Sequence, residues 1–164
     1  MSDIEELGLI RIDDRLIHGQ VITVWSRQKK FTRILILDDQ VAADAFMVEV
    51  LGLAAPPNIK VEAKSVEDGA KDLTSGRSDL KTTMVLMKTP ESALRLYEAG
   101  LSYTQLNIGG IGNKPGRKNI FKNTAVSPEE VSILEQLSDK GVTITLLTVP
   151  GERSKDFADL AGKL

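Results

Sequence analysis

Six short runs rich in β-branched residues alternate with helical segments, and this alternation constrains the fold more than any other feature. The runs are LGLIRI (7–12), RILILD (33–38), IKVEAK (59–64), TTMVLM (82–87), TQLNIG (104–109) and VTITLLTV (142–149). Near-continuous apolar strands are expected where a sheet is covered on both faces. Strands that alternate with helices form βαβ units and a mostly parallel sheet. The expected fold is α/β: an open, mostly parallel sheet with helices on both faces. At 164 residues, with no internal repeat or linker, residues 1–164 read as a single domain.

The helices carry their own signals. After Gly19, the residues Val21, Val24 and Trp25 fall at i, i+3 and i+4, which makes Trp25 a core residue. SVED (65–68) pairs a capping serine with an acid three residues later. SPEE (127–130) is stronger: Ser127 caps, Pro128 suits the first helical position and Glu130 completes a capping box. TP at 89–90 repeats the cap-then-proline start, and Pro56 and Pro57 stop the second helix before the third strand. Near the C-terminus, Phe157, Leu160, Ala161 and Leu164 share one helical face. The stretch GGIGNKPGRKNIFKNTAV (109–126) has no helical stripe, and its glycines and Pro115 indicate a turn-rich loop. Within it, NIF and TAV predict a short hairpin insertion near 119–126. GGIG follows a strand without leading into a clear helix, so it does not match a dinucleotide fingerprint.

Composition removes several function classes. The net charge of −2 provides no electrostatic footprint for nucleic acid or an anionic membrane. The absence of cysteine excludes a disulfide framework, a thiol nucleophile and a thiolate metal site. A single histidine argues further against zinc, so neither a metal nor a cofactor is expected. The acidic start MSDIEELG lacks the apolar core of a signal peptide. No apolar run approaches the roughly 20 residues needed to span a bilayer. A cytoplasmic protein is expected.

The one histidine, His18, lies in RIDDRLIHGQV (11–21), in the loop after the first strand and at the start of a helix. In open α/β sheets, ligands bind where such loops gather at the carboxyl ends of the strands. A helix N-terminus presents unpaired N–H groups and a partial positive charge that favours phosphate. Gly19 allows close backbone approach, and Arg15 offers a planar fork suited to phosphate oxygens. Neutral imidazole is a competent nucleophile near neutral pH. These parts suit a histidine that accepts a phosphoryl group.

RIDDRLIHGQV closely resembles the phosphorylation-site loop of IIB components in the mannose–fructose–sorbose class of bacterial sugar phosphotransferase systems. The resemblance continues through DDQVAAD (38–44), LAAPP (53–57), TPESALRLYEAG (89–100) and LNIGGI (106–111). It implies that His18 is the phosphorylated residue, through Nδ1. It further implies that a phosphohistidine of a IIA partner is the donor and that the acceptor is a sugar transported by the membrane components IIC and IID. The protein would then be a phosphotransferase held at the inner face of the cell membrane through IIC and IID. Arg15 is the expected charge-stabilising side chain. The imidazole nitrogen facing the donor must be unprotonated, so the other nitrogen is expected to hydrogen-bond a loop group.

Other residues have two readings each. Asp13 and Asp14 are placed to orient Arg15 and His18 or to cap a turn, with Asp14 favoured for function. Gln20 is placed equally to reach a phosphate or partner and to line a helix surface. Asp38, Asp39 and Thr89 read first as caps, although they and Lys88 follow strands on the expected site edge. Lys114, Arg117 and Lys118 would contact the phosphate or an acidic partner, or form a solvated basic loop.

Two rival functions stand beside the carrier. One is a phosphatase: histidine phosphatases place arginine and histidine adjacent in RHG and use a second histidine. Here two residues separate Arg15 from His18, and no second histidine exists. The other is a non-catalytic IIB-like regulatory or binding module, against which His18 and Arg15 both argue.

Overall fold

The structure, a computed structural model, describes residues 7–164. The acidic start through Glu6 lies outside the described residues. In chain order the first elements are β1 (Leu9–Asp13), α1 (Gly19–Gln28), β2 (Arg33–Leu37), α2 (Asp39–Ala42), α3 (Ala45–Ala54) and β3 (Lys60–Lys64). Next come α4 (Val66–Leu73), β4 (Thr83–Met87), α5 (Pro90–Glu98) and β5 (Gln105–Gly110). The chain continues through β6 (Lys118–Phe121), β7 (Thr124–Val126), α6 (Pro128–Asp139) and β8 (Thr143–Leu146). It ends with β9 (Lys155–Asp156) and α7 (Phe157–Ala161).

All six apolar runs form strands of one sheet, ordered β3-β2-β4-β1-β5-β8-β9. Its pairings are parallel except β8–β9. The expected hairpin is β6–β7, an antiparallel pair outside the main sheet.

Successive strand residues point to opposite faces. Ile10 and Ile12, Leu35 and Leu37, and Val85 and Met87 therefore share one core with Leu73, Leu96 and Leu134 from α4, α5 and α6. Ile34 and Ile36, with Met84 and Leu86, join the other core, where α1 supplies Ile22 and Trp25 and α3 supplies Leu51. Each such fully buried side chain contributes about 1.5–3 kcal/mol. The same alternation turns Arg11 and Asp13 toward the α1 face.

The caps follow the sequence. Asp38 accepts from the Val41 N–H and Thr89 from the Ser92 N–H. Ser127 and Glu130 form the reciprocal capping box. Two details differ from expectation. On α1, Ile22 is buried while Val24 is half-exposed, because the stripe facing the sheet is centred one residue earlier. At the C-terminus the helix ends at Ala161, and Leu164 is 49% exposed. The preceding Lys155 and Asp156 pair with β8 instead of extending the helix.

This topology creates one notable edge. From β1 the chain passes through α1 toward β2, whereas from β5 it passes through the hairpin and α6 toward β8, the opposite way along the sheet. The helices α1 and α6 also pack on opposite faces. The loops after β1 and β5 therefore part at the carboxyl edge, the kind of crevice in which α/β sheets bind ligands.

Candidate active site

The loop after β1 is tightly pinned. The Asp14 N–H donates to the Gly110 carbonyl at 3.1 Å, and the Leu16 N–H to the Asp13 carbonyl at 2.9 Å. Leu16 has φ of 59°, in the left-handed region that a leucine rarely adopts. Such a conformation costs on the order of 1–3 kcal/mol and persists only where its surroundings over-determine it. Here the Leu16 side chain is buried in the α1-side core, so packing holds the turn in place. The turn delivers His18 to the N-cap position of α1, in extended conformation.

The His18 side chain is exposed. Its carbonyl accepts the first helical bond, from the Ile22 N–H at 3.1 Å. The imidazole makes no capping hydrogen bond, and among the described residues it has no hydrogen-bonded loop partner. The expected tautomer-fixing contact is thus not formed, because the N-cap side chain faces solvent. Gly19 opens α1, and Gln20 is exposed in its first turn.

Arg15 is held by Asp13. Asp13 Oδ1 accepts from the Arg15 backbone N–H at 3.1 Å and from Nε at 3.0 Å. Asp13 Oδ2 accepts from Arg15 Nη2 and from Arg11 Nη2, each at 2.9 Å. The carboxylate is fully buried, Arg11 is 1% exposed, and the Arg15 side chain is 41% exposed. Burial pushes the Asp13 carboxyl up, but the Arg15 hydrogen bonds and the Arg11 charge outweigh it and hold the group below its usual range. Asp13 is therefore ionised, and two guanidinium groups share one carboxylate. The Asp13 hydrogen bond raises Arg15 further above its ordinary range.

Arg11 is itself cradled. Its Nη1 donates to Asn107 Oδ1 at 2.6 Å and to the Leu147 carbonyl at 3.3 Å. Its guanidinium carbon lies 5.7 Å from the Trp25 ring centroid. A Cβ at Gly109 would collide with the Arg11 guanidinium, so a larger residue there would displace Arg11 from its partners. Around this pair, Asn123 Nδ2 and Thr148 Oγ1 both donate to the Gly109 carbonyl at 3.1 Å. Trp25 Nε1 donates to the Thr148 carbonyl at 3.0 Å.

The two edge loops are tied together by Asp14, whose Oδ2 accepts from the Gly112 N–H at 2.7 Å. The Gly112 carbonyl accepts from Arg117 Nη1 at 2.8 Å, and Arg117 grips Glu130 through Nε at 3.0 Å and Nη2 at 2.8 Å. Arg117 is thus an anchor between this loop and the start of α6. Lys114 on this loop and Lys118, the first residue of β6, are exposed.

Several site residues emerge only from the structure: Arg11, Asn107, Gly109, Asn123 and Thr148. Asp13, given less weight than Asp14 from the sequence, is the partner of Arg15. One signal was available. In IRID (10–13), Arg11 and Asp13 stand two apart in an apolar strand, hence on one face. Charges in a strand covered on both faces must compensate each other.

Comparison with known proteins identifies the family of the chain. Residues 7–164 match the family described as "PTS system sorbose subfamily IIB component". The chain is 36% identical over 152 residues to the fructose-specific EIIB component of Bacillus subtilis, covering 93% of each. It is 29% identical over 163 residues to the mannose-specific EIIAB component of Escherichia coli, covering 99% of this chain and 50% of that longer one. The crystal structure of the IIB domain of the sorbose permease from Klebsiella pneumoniae superposes with a TM-score of 0.88 at 34% identity, covering 96% of each chain. The chain belongs to the sorbose subfamily of phosphotransferase-system IIB components, a family of phosphotransferases.

Proposed function

We propose that His18 accepts a phosphoryl group from a phosphohistidine of a IIA partner and passes it to a sugar during uptake through IIC and IID. The observation that carries this reading is the exposed His18 imidazole at the N-terminus of α1, three residues after an arginine whose fork is only half engaged. A lone pair on one ring nitrogen, Nδ1 by resemblance, forms the new N–P bond as the donor's N–P bond breaks. In the second transfer a sugar hydroxyl oxygen forms an O–P bond as the His18 N–P bond breaks; the electron pair of that bond returns to the imidazole, and the hydroxyl proton passes to solvent.

Neither step needs a metal or a general base within this chain. Transfer through a loose, in-line transition state depends on positioning and on stabilising charge spread over the phosphoryl oxygens. Arg15 supplies that charge, and the unpaired N–H groups of the first α1 turn add to it. The mannose-specific relative that joins A and B parts in one chain supports a IIA partner. Lys114, on the loop that Asp14 holds, and Lys118, at the start of β6, are exposed and suit an acidic partner surface. Among the described residues no helix is long and apolar enough to cross a membrane. We assign the chain to the cytoplasmic face, docked on IIC and IID, as one domain over residues 1–164.

Incubation with phosphorylated IIA tests this reading. A carrier takes up one phosphoryl group per chain. A phosphatase releases inorganic phosphate with turnover, and a binding module does neither.

A further inference from the structure

We propose that Arg11 is a positioning residue for phosphoryl transfer: acting through Asp13, it sets the orientation and the net charge of the Arg15 fork. This rests on the reading of His18 as the phosphoryl acceptor.

The geometry of the fork comes first. A guanidinium has five N–H donors. Asp13 takes the Nε–H and one Nη2–H of Arg15. Arg15 Nη1 has no hydrogen bond among the described residues. The free edge of the fork is therefore the Nη1–Nη2 pair, which matches two oxygens of a phosphoryl group. Which edge stays free depends on where the Asp13 carboxylate points, and Arg11 helps to fix that carboxylate by donating to the same Oδ2 that Arg15 Nη2 engages, at 2.9 Å.

Charge comes second. An isolated Asp13–Arg15 pair would be neutral and would attract a dianionic phosphoryl group weakly. With Arg11 present, the three groups carry one net positive charge. Arg11 and Asp13 are buried, so solvent screens their share of that charge poorly, while the half-exposed Arg15 presents it at the surface.

The cradle comes third. Burying an arginine carries a desolvation penalty, and a well-packed apolar side chain is often the more stable choice. Yet Asn107, the Leu147 carbonyl, the Trp25 ring and the missing side chain of Gly109 all accommodate this guanidinium. Arg11 itself is too buried to touch a phosphoryl group. Its influence must pass through Asp13.

The test uses phosphoramidate, a small donor that requires no partner, with the full chain and its Arg11→Met and Arg11→Lys variants. For Arg11→Met, the rate of His18 phosphorylation at saturating donor should fall about 10–100-fold, the scale for losing an outer partner that orients a functional group. The ³¹P signal of phosphorylated His18 should shift as well, which a purely structural role would not cause. Arg11→Lys keeps the charge but not the fork, so its rate should lie between the two and several-fold below wild type. If Arg11→Met does not fold, Arg11→Lys decides. Wild-type rate and an unmoved ³¹P signal in the deciding variant overturn the role of Arg11. Failure of the wild type itself to form phosphohistidine at position 18 overturns the carrier reading instead.

Discussion

Asp13 holds Arg15 along a single edge of its guanidinium, through Nε at 3.0 Å and Nη2 at 2.9 Å. The carboxylate is buried and the arginine is not, so the rigid partner is the one inside the fold. In the proposed transfer Arg15 would therefore lose little further freedom on meeting a phosphoryl group.

Arg15→Ala should slow phosphotransfer from phosphorylated IIA by roughly 10²–10³-fold, the range for losing one electrostatic donor. Arg15→Lys should recover only part of the rate. An ammonium is a point charge and cannot engage Asp13 and two phosphoryl oxygens through one plane. Single-turnover kinetics on variants of native circular dichroism would check this, and an unchanged rate for Arg15→Ala would remove the residue from the mechanism.

Gly109→Ala should destabilise the protein by about 1–3 kcal/mol, the usual cost of overpacking, because its Cβ would collide with the Arg11 guanidinium. Gly52→Ala is the control: it lies in α3 with open space around the new methyl. It should be neutral or stabilising by about 0.5–1 kcal/mol. Urea denaturation of both compares them, and equal effects would mean that the Arg11 cradle is not tight.

Acid should weaken the fold through specific carboxylates. At Asp13 and Glu130 burial pushes the carboxyl up, but Arg15 with Arg11, and Arg117, outweigh it and hold each below its ordinary range. The Val66 N–H and then Arg95 lower Asp39. A carboxyl whose folded pKa is depressed stabilises the fold above its unfolded pKa, about 4, and that contribution is lost as pH falls through the lower folded value. The urea midpoint should therefore change little through these groups between pH 7 and 5 and drop as pH falls below about 4. A midpoint that rises on acidification below pH 4 would contradict these assignments.

The extent to which sequence anticipates this structure depends on the range of the interactions. The strands are legible because their apolar runs are local, and so is the α6 start, where Ser127, Pro128 and Glu130 lie within four residues. The His18 loop is legible because its motif is contiguous. The proposed role of Arg11 is legible only in part: Asp13 stands two residues away on the same strand face, but Asn107 and Leu147 lie 96 and 136 residues away. Those contacts exist only once β5 pairs with β1 and β8 pairs with β5. Likewise, nothing local marks Leu16 for a positive φ. That conformation comes from burying its side chain beneath α1 while Asp13 and Asp14 bind elsewhere.

The central claim concerns His18, and phosphorylation of wild type and His18→Ala by phosphorylated IIA tests it most directly. Wild type should take up one phosphoryl group per chain, in a linkage that acid cleaves and alkali spares. His18→Ala should fold normally, since an exposed loop side chain adds little to the core, and should take up none. A folded His18→Ala that is phosphorylated to the wild-type level would contradict the account.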